Sequence, residues 1–534
     1  MRGPQGPSLE TTPPPMPTVR DQLLARAADP APGLLFEDES WTWAEVVHES
    51  SVRAAVVSGV LPPGEPRHVG VLLENVPEFA FLLGGAALGG LVVVGLNPTR
   101  RGAALAADVR RADVQVVVTD AAHAELLADV TVPVVPIDSP DWSALLEEHA
   151  SAPVPVADVG PDDLMMLIFT SGTSGDPKAV NVTQAKVAYP GQFLSERFGL
   201  GPADTAYLSM PMFHSNAIMA GWGPALAAGA TIALARRFSA SGFLPDVRRH
   251  GATYANYVGK PLTYVMATPE RPDDADNPLR LVFGNEANDR DITGFARRFG
   301  CVVVDSYSST ENAVIVQRVP DMPAGSLGRP VDQVKVLDPD TMLEVPDAVF
   351  DTTGRLVNAD EATGELVNTG GAGAFAGYYN DPAAEAERMR GGMYWSGDLA
   401  YRDADGFVYF AGRTADWMRV DGENLAAAPI ERILLRHPAI EEAAVYAVPD
   451  PAVGDQVMAA VVIRSNLGPA DLETFLADQP DLSRKGWPAY VRVVDTLPRT
   501  ATNKVLKREL AAEGPVAGGG VLWTREPRGT SYST

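Results

Sequence analysis

Short apolar runs recur along the chain at residues 68–73, 92–94, 116–119 and 134–136, with the length and valine content of buried strands. Helix-like stretches such as residues 77–87 lie between them, and the same rhythm returns over residues 231–249 and 281–304. Strands buried on both faces and alternating with helices predict an α/β fold: a large N-terminal domain of layered, mainly parallel sheets and helices. Residues 79–96 are almost wholly apolar and close to bilayer-spanning length. Yet the stretch holds Gly84, Gly85, Gly89, Gly90 and Gly95, ends at Asn97-Pro98, and turns strand-like at residues 91–94. A helix feeding a buried parallel strand is therefore expected, with no integral membrane segment.

The texture changes near Arg413. Pro429 suits the first turn of a helix over residues 430–436. Strands are expected at 443–448, 457–463 and 491–494, with a helix at 471–476. These make a small α+β domain of ordinary size. The chain divides on this reading into a Pro-rich, disordered lead-in (1–17), an N-terminal domain (18–413), a C-terminal domain (414–514) and a flexible tail (515–534) that begins with the glycines 518–520.

Charge and cysteine content narrow the function classes. With 534 residues and a net charge of −25, the chain is ill suited to non-specific binding of nucleic acid or an anionic membrane. Cys301 is the only cysteine, so no intrachain disulfide is available. The valines at 302–304 place it on a buried strand, which favours inert packing over a catalytic thiol. Residues 1–17 lack the apolar core of a secretory signal, and a cytoplasmic location is expected.

The sharpest chemical signal is the run Thr170, Ser171, Gly172, Thr173, Ser174, Gly175, Asp176, Pro177, Lys178 between two apolar stretches. Glycines let backbone N–H groups approach an anion, hydroxyls add donors, and a lysine adds a point charge suited to phosphate. A solvated turn is the plain alternative, but a bias this long between two strands favours a phosphate cradle. It is not a Walker loop: only Thr173 and Ser174 separate Gly172 from Gly175, and Ala179 follows Lys178.

This run resembles the phosphate loop of the adenylate-forming superfamily, which includes acyl-CoA synthetases, luciferases and peptide-synthetase adenylation domains. Further segments resemble that family's motifs in order, over roughly residues 37–510. The resemblance implies roles for them. Residues 211–216 would border the acyl tunnel, with His214 gating the acyl group or contacting the carboxylate. Gly284, Asn285 and Glu286 would flank the adenine. In the stretch Asp305, Ser306, Tyr307, Ser308, Ser309, Thr310, Glu311, the tyrosine would stack on adenine and Asp305 would accept from its amino group. Thr310 would contact the α-phosphate and Glu311 would hold Mg2+, a hard ion content with one carboxylate plus phosphate oxygens. Ser308 stands where the family often has glycine, which puts the acyl pocket's shape in question. The segments at 364–366 and 377–381 match family segments that are mainly structural.

Asp398 sits at the ribose motif, where one carboxylate can accept from both hydroxyls. Arg413 would contact ribose or phosphate. The pivot two residues on is Ala415 in place of the usual Asp or Lys, and the adjacent Asp416 could share that role. Arg419 (often Lys in the family) and Gly422 would face the thiol side, and Lys504 would be the adenylation lysine. The implied co-reactants are ATP, Mg2+ and coenzyme A. The implied partners are a small-molecule carboxylic acid and coenzyme A, with a homodimer left open and no nucleic acid.

The family's two half-reactions would be adenylation of the acid and thioester formation, with the C-terminal domain swivelling as a mobile lid between them. Residues 284–286, 336–341, 351–361 and 422–424 resemble the bacterial very-long-chain acyl-CoA synthetase (fatty acid transport protein) branch, which implies a large hydrophobic acid. The rivals are an acyl-AMP ligase that loads a carrier protein, a luciferase-type oxidase, and a non-catalytic nucleotide-binding remnant.

Overall fold

The computed structural model describes residues 16–64, 66–170, 177–319, 321–331, 333–352, 356–413, 417–420, 423–450, 454–479, 482–499, 505–526 and 529–534. The chain forms two compact units: Met1–Ile168 with Asn181–Arg237 and His250–Thr253, and Phe169–Val180 with Phe238–Arg249 and Tyr254–Thr534.

In the first unit, the strands Val134–Pro136, Val116–Thr119, His68–Leu72, Val92–Gly95 and Leu164–Thr170 lie side by side in that order, all parallel. The apolar run at 79–96 resolves as expected into the helix Pro77–Gly89 and the strand Val92–Gly95. Pro77 opens the helix and Gly90, at φ 63°, ends it. The helix packs so closely on Trp43–Val60 that a Cβ at Gly85 would lie 2.7 Å from the Ser50 carbonyl oxygen. Trp43–Val60 itself starts from a capping box, with the Thr42 side chain accepting from the Glu45 N–H and Glu45 accepting from the Thr42 N–H. No helix among the described residues is long and apolar enough to cross a membrane.

In the second unit, Tyr254–Val258, Leu281–Asn285 and Val302–Asp305 are parallel neighbours. Asp289–Phe299 connects the last two, capped by Asn288 and stopped by Gly300 at φ 66°. A sheet of a different kind follows. Val334–Leu337, Gly364–Asn368, Met393–Arg402 and Val408–Arg413 pair antiparallel. No such antiparallel layer was expected from the sequence: its strands are interrupted by Gly, Asp and Asn and carry a weak apolar alternation.

The C-terminal part forms a mixed sheet in the order Glu423–Ala426, Trp417–Val420, Gly454–Ile463, Tyr490–Val493, Val521–Arg525, Tyr532–Ser533, with Ile440–Asp450 also paired to Gly454–Ile463. The helices Ala427–Leu434 and Pro469–Ala477 contribute Ile430, Leu434, Leu472 and Leu476 to its core. The expectation of a flexible tail at 515–534 is corrected here. Val521–Arg525 pairs antiparallel with Tyr490–Val493, Trp523 is buried in the domain core, and the Tyr532 hydroxyl donates to the Pro488 carbonyl at 2.7 Å. The glycines before residue 521 form the turn that returns the chain to the sheet. The lead-in at 1–15 lies outside the described residues.

Candidate functional site

The carboxyl ends of parallel strands are where an open α/β sheet offers backbone groups and side chains to a ligand. Gly284 and Asp305 are register partners at such ends. A Cβ on Gly284 would lie 2.2 Å from the Tyr257 carbonyl oxygen, so only glycine fits there. The following residues turn out of the sheet through Glu286, at φ 68°. The turn is tied down by polar bonds. The Asn285 amide donates to the Ser306 carbonyl at 2.6 Å and to its hydroxyl at 3.0 Å, and the Ser306 N–H donates to the Gly284 carbonyl. Asp305 Oδ2 accepts from the Tyr257 hydroxyl at 2.7 Å and from the Ala287 N–H at 3.0 Å. Burial pushes the Asp305 carboxyl up to about 6 and holds the Tyr257 phenol well above its ordinary value, which makes the phenol the donor. The structure brings Gly284, Asn285, Glu286, Asp305 and Ser306 together at this strand end, with Tyr257, which carried no sequence signal beyond an aromatic on a strand.

Tyr307 leaves this strand end and donates from its hydroxyl to Asp398 Oδ2 at 2.6 Å. Burial, and then the Asp398 charge, keep this phenol protonated. Asp398 is 4% exposed and faces Arg413 across the antiparallel pair Met393–Arg402 and Val408–Arg413. The Arg413 Nε lies 3.0 Å from Asp398 Oδ1, an ion pair that raises the guanidinium above its ordinary value. That oxygen accepts no hydrogen bond from any described residue. Its charge is met by the Arg413 guanidinium, and it keeps acceptor capacity for a further donor.

Glu311 and Lys178 meet on one tyrosine. Glu311 is 8% exposed, and its Oε1 accepts from the Tyr378 hydroxyl at 2.8 Å. Lys178 Nζ lies 5.4 Å from the centre of the Tyr378 ring and donates to the Glu387 carboxylate at 3.0 Å. Lys178 begins the strand Lys178–Thr183, so the end of the Gly/Ser/Thr run is held beside Glu311. Thr170 closes the other end, its hydroxyl donating to the Lys178 carbonyl at 3.5 Å. Tyr378 and Glu387 were missed as site residues: the first lay in a segment read as structural, and the second is an exposed acid on the helix Pro382–Arg388. Ser308 is exposed and Thr310 half-buried.

His214 belongs to the first unit, in the turn between the strand Thr205–Leu208 and the π-helical turn Ala217–Trp222. Its ring lies 4.3 Å from that of Phe213, its Nε2 is buried without a hydrogen-bond partner among the described residues, and burial lowers it to about 4. It is neutral at physiological pH. Ser171, Gly172, Thr173, Ser174, Gly175, Ala415, Asp416, Gly422 and Lys504 lie outside the described residues, as does the side chain of Arg419.

The described residues hold no group of three or more His, Cys, Asp or Glu that could hold a metal ion. Mg2+ that travels with a nucleotide needs no such cage, because phosphate oxygens and water supply most of its ligands and one carboxylate suffices. Glu311 fits that limited requirement.

Comparison with known proteins identifies the family. Residues 23–379 match the AMP-binding enzyme family and residues 429–504 the AMP-binding enzyme C-terminal domain. The medium/long-chain-fatty-acid–CoA ligase FadD17 of Mycobacterium marinum is 53% identical over 500 residues, covering 93% of this chain and 96% of that relative. The steroid-22-oyl-CoA synthetase of Rhodococcus jostii is 50% identical, covering 92% of this chain and 90% of the relative. Among solved structures, ATP-bound MatB from Rhodopseudomonas palustris superposes with a TM-score of 0.79 over 92% of this chain and 99% of its own, at 23% identity, a likeness of fold. With the first family region covering well over half of the chain and half of the residues shared with relatives matched nearly end to end, this chain belongs to the AMP-binding enzyme family.

Proposed function

We propose that the protein is an ATP-dependent acid–thiol ligase that converts a hydrophobic carboxylic acid to its acyl-CoA. In the first half-reaction a carboxylate oxygen of the acid attacks the α-phosphorus of ATP, the acyl-AMP forms, and pyrophosphate leaves. In the second the thiol of coenzyme A, giving up its proton, attacks the acyl carbon and AMP leaves. The observation that carries the reading is the Tyr307–Asp398–Arg413 cluster, with a buried Asp398 oxygen that pairs with Arg413 and accepts no hydrogen bond from a described residue. Two ribose hydroxyls are the donors such a carboxylate can take.

The remaining assignments follow from this frame. Tyr307 stacks on the adenine, and Asp305 with the 284–286 turn flanks it. Lys178 and the 170–175 run take the phosphates, and Thr310 the α-phosphate. Glu311 would hold Mg2+, which would supply neutralisation of phosphate charge. Two anions must meet in this step, so Lys178 and Lys504 act by cancelling charge and holding the reactants in line. His214, neutral, borders the acyl group. The segment from 414 onward serves as the lid: Ala415 and Asp416 are its hinge, and Arg419 and Gly422 take the place of Lys504 when the thiol enters.

The substrate class we propose is a medium- to long-chain or polycyclic acid, since relatives sharing half of the residues are a medium/long-chain-fatty-acid–CoA ligase and a steroid-22-oyl-CoA synthetase. Membership of the very-long-chain branch is the narrower version of the same proposal. ATP–pyrophosphate exchange across a panel of fatty and steroid acids, followed by mass analysis of products with coenzyme A and with a carrier protein, tests it. Exchange with no acid of the panel counts against the reading, and acyl transfer to the carrier protein alone counts for the acyl-AMP ligase.

A further inference from the structure

We propose that Tyr378 is a positioning residue that sets Glu311 and Lys178 at a fixed separation for the nucleotide's phosphates and their magnesium ion. The inference rests on the roles proposed above for Glu311 and Lys178. Three contacts, two of the side chain and one of the backbone, meet at this residue. Its hydroxyl donates to Glu311 Oε1 at 2.8 Å. Its ring lies under Lys178 Nζ at 5.4 Å. Its backbone is bridged to Val180, and the next N–H, that of Tyr379, donates to the Ala179 carbonyl at 2.8 Å. The strand that begins at Lys178 and the loop that carries Glu311 are far apart in sequence, and Tyr378 joins them.

The ring has little freedom to move. Phe375 meets it edge-on at 5.0 Å and 68°, and the residue is 4% exposed. The hydroxyl is thereby aimed at Glu311 Oε1. With Oε1 committed to the phenol, the carboxylate is pinned in one rotamer. Precision of this kind is what a charged group needs when its target is a metal–phosphate cluster. A carboxylate free to rotate would pay its ordering entropy again at each binding event.

A residue that is merely part of the core would alter stability and leave magnesium coupling intact, so the test reads the coupling. ATP binding to the full chain is measured by calorimetry without acid substrate, once in EDTA and once in excess Mg2+, and the ratio of the two dissociation constants is the magnesium increment. Y378F keeps the ring under Lys178 and removes only the donor. The expected result is an increment reduced about tenfold, the factor carried by one hydrogen bond to a charged group. ATP affinity in EDTA should change by less than about twofold, because the cation–ring contact survives. E311Q should lose the increment too, and Y378F/E311Q should be no worse than E311Q alone. If Y378F does not fold, E311D takes its place: a carboxylate shortened away from the phenol should lose the increment to a similar degree. An undiminished increment in Y378F, additive losses in the double variant, or wild-type coupling in E311D would each overturn the proposal, as would a wild-type protein that binds ATP with no increment. A wild-type protein that binds no ATP would instead sink the ligase reading itself.

Discussion

Replacing Asp398 by asparagine is the sharpest test of the nucleotide site, because the structure separates what the change damages from what it leaves. The Tyr307 hydroxyl sits 2.6 Å from Oδ2, and an asparagine oxygen can still accept it. The amide nitrogen then occupies the place of Oδ1, the oxygen that pairs with Arg413 and accepts no hydrogen bond from a described residue. An acceptor becomes a donor at the one atom proposed to receive the ribose. Two hydrogen bonds to a charged acceptor, at about 1.5 kcal/mol each, amount to about 3 kcal/mol, or roughly a hundredfold in Kd for ATP. The stability cost is smaller. The Arg413 side chain is 34% exposed and can rehydrate, which limits the loss to about 1 kcal/mol after screening. Calorimetric titration with ATP and with 2′,3′-dideoxy-ATP separates the two effects. Wild-type protein should prefer ATP by roughly a hundredfold, and Asp398→Asn should bind the two almost equally. A variant that keeps the full preference for ATP would show that the ribose does not meet Asp398, and the orientation of the nucleotide proposed here would have to be abandoned.

Three other perturbations probe different links. Lys504→Ala should cost about two to three decades in ATP–pyrophosphate exchange, comparable to removing one preorganised donor from a transition state; exchange near the wild-type rate would remove Lys504 from the reaction. The Asp305 carboxyl, raised by burial from 3.8 to about 6, disfavours the folded state as pH rises through that window, because the unfolded chain ionises first. The urea midpoint of Asp305→Asn relative to wild type should therefore climb between about pH 4 and 6 and level off above, and a pH-independent difference would contradict the assignment. Trp523→Ala should destabilise the C-terminal domain by about 3–5 kcal/mol in urea unfolding, as expected for a buried tryptophan. A loss below about 1 kcal/mol would mean that residues 515–534 are not part of that domain's core.

The parts of this molecule that were legible in its sequence are those where one physical rule acts alone. Strands buried on both faces must be continuously apolar, so residues 92–94 and 116–119 declared themselves, and the glycines of 84–95 distinguished a helix–strand unit from a membrane span. The residues proposed for the nucleotide stood out for a different reason. Gly284, Asp305, Tyr307, Asp398 and Arg413 carry little meaning singly, and their order along the chain made the family resemblance. What stayed hidden arises from pairings between distant segments. Tyr378 reads as an ordinary turn aromatic until the backbone bridge to Val180 brings Glu311 and Lys178 to it. Tyr257 looks like any strand residue until register sets it beside Gly284 and Asp305. The tail misled for the converse reason: its composition, rich in Gly, Ser and Thr, argues for flexibility, while a single alternation, Val521-Leu522-Trp523, buries one large ring and so fixes the strand. Composition averages over a segment, whereas burial of one tryptophan is decided at one position, and here the single position wins.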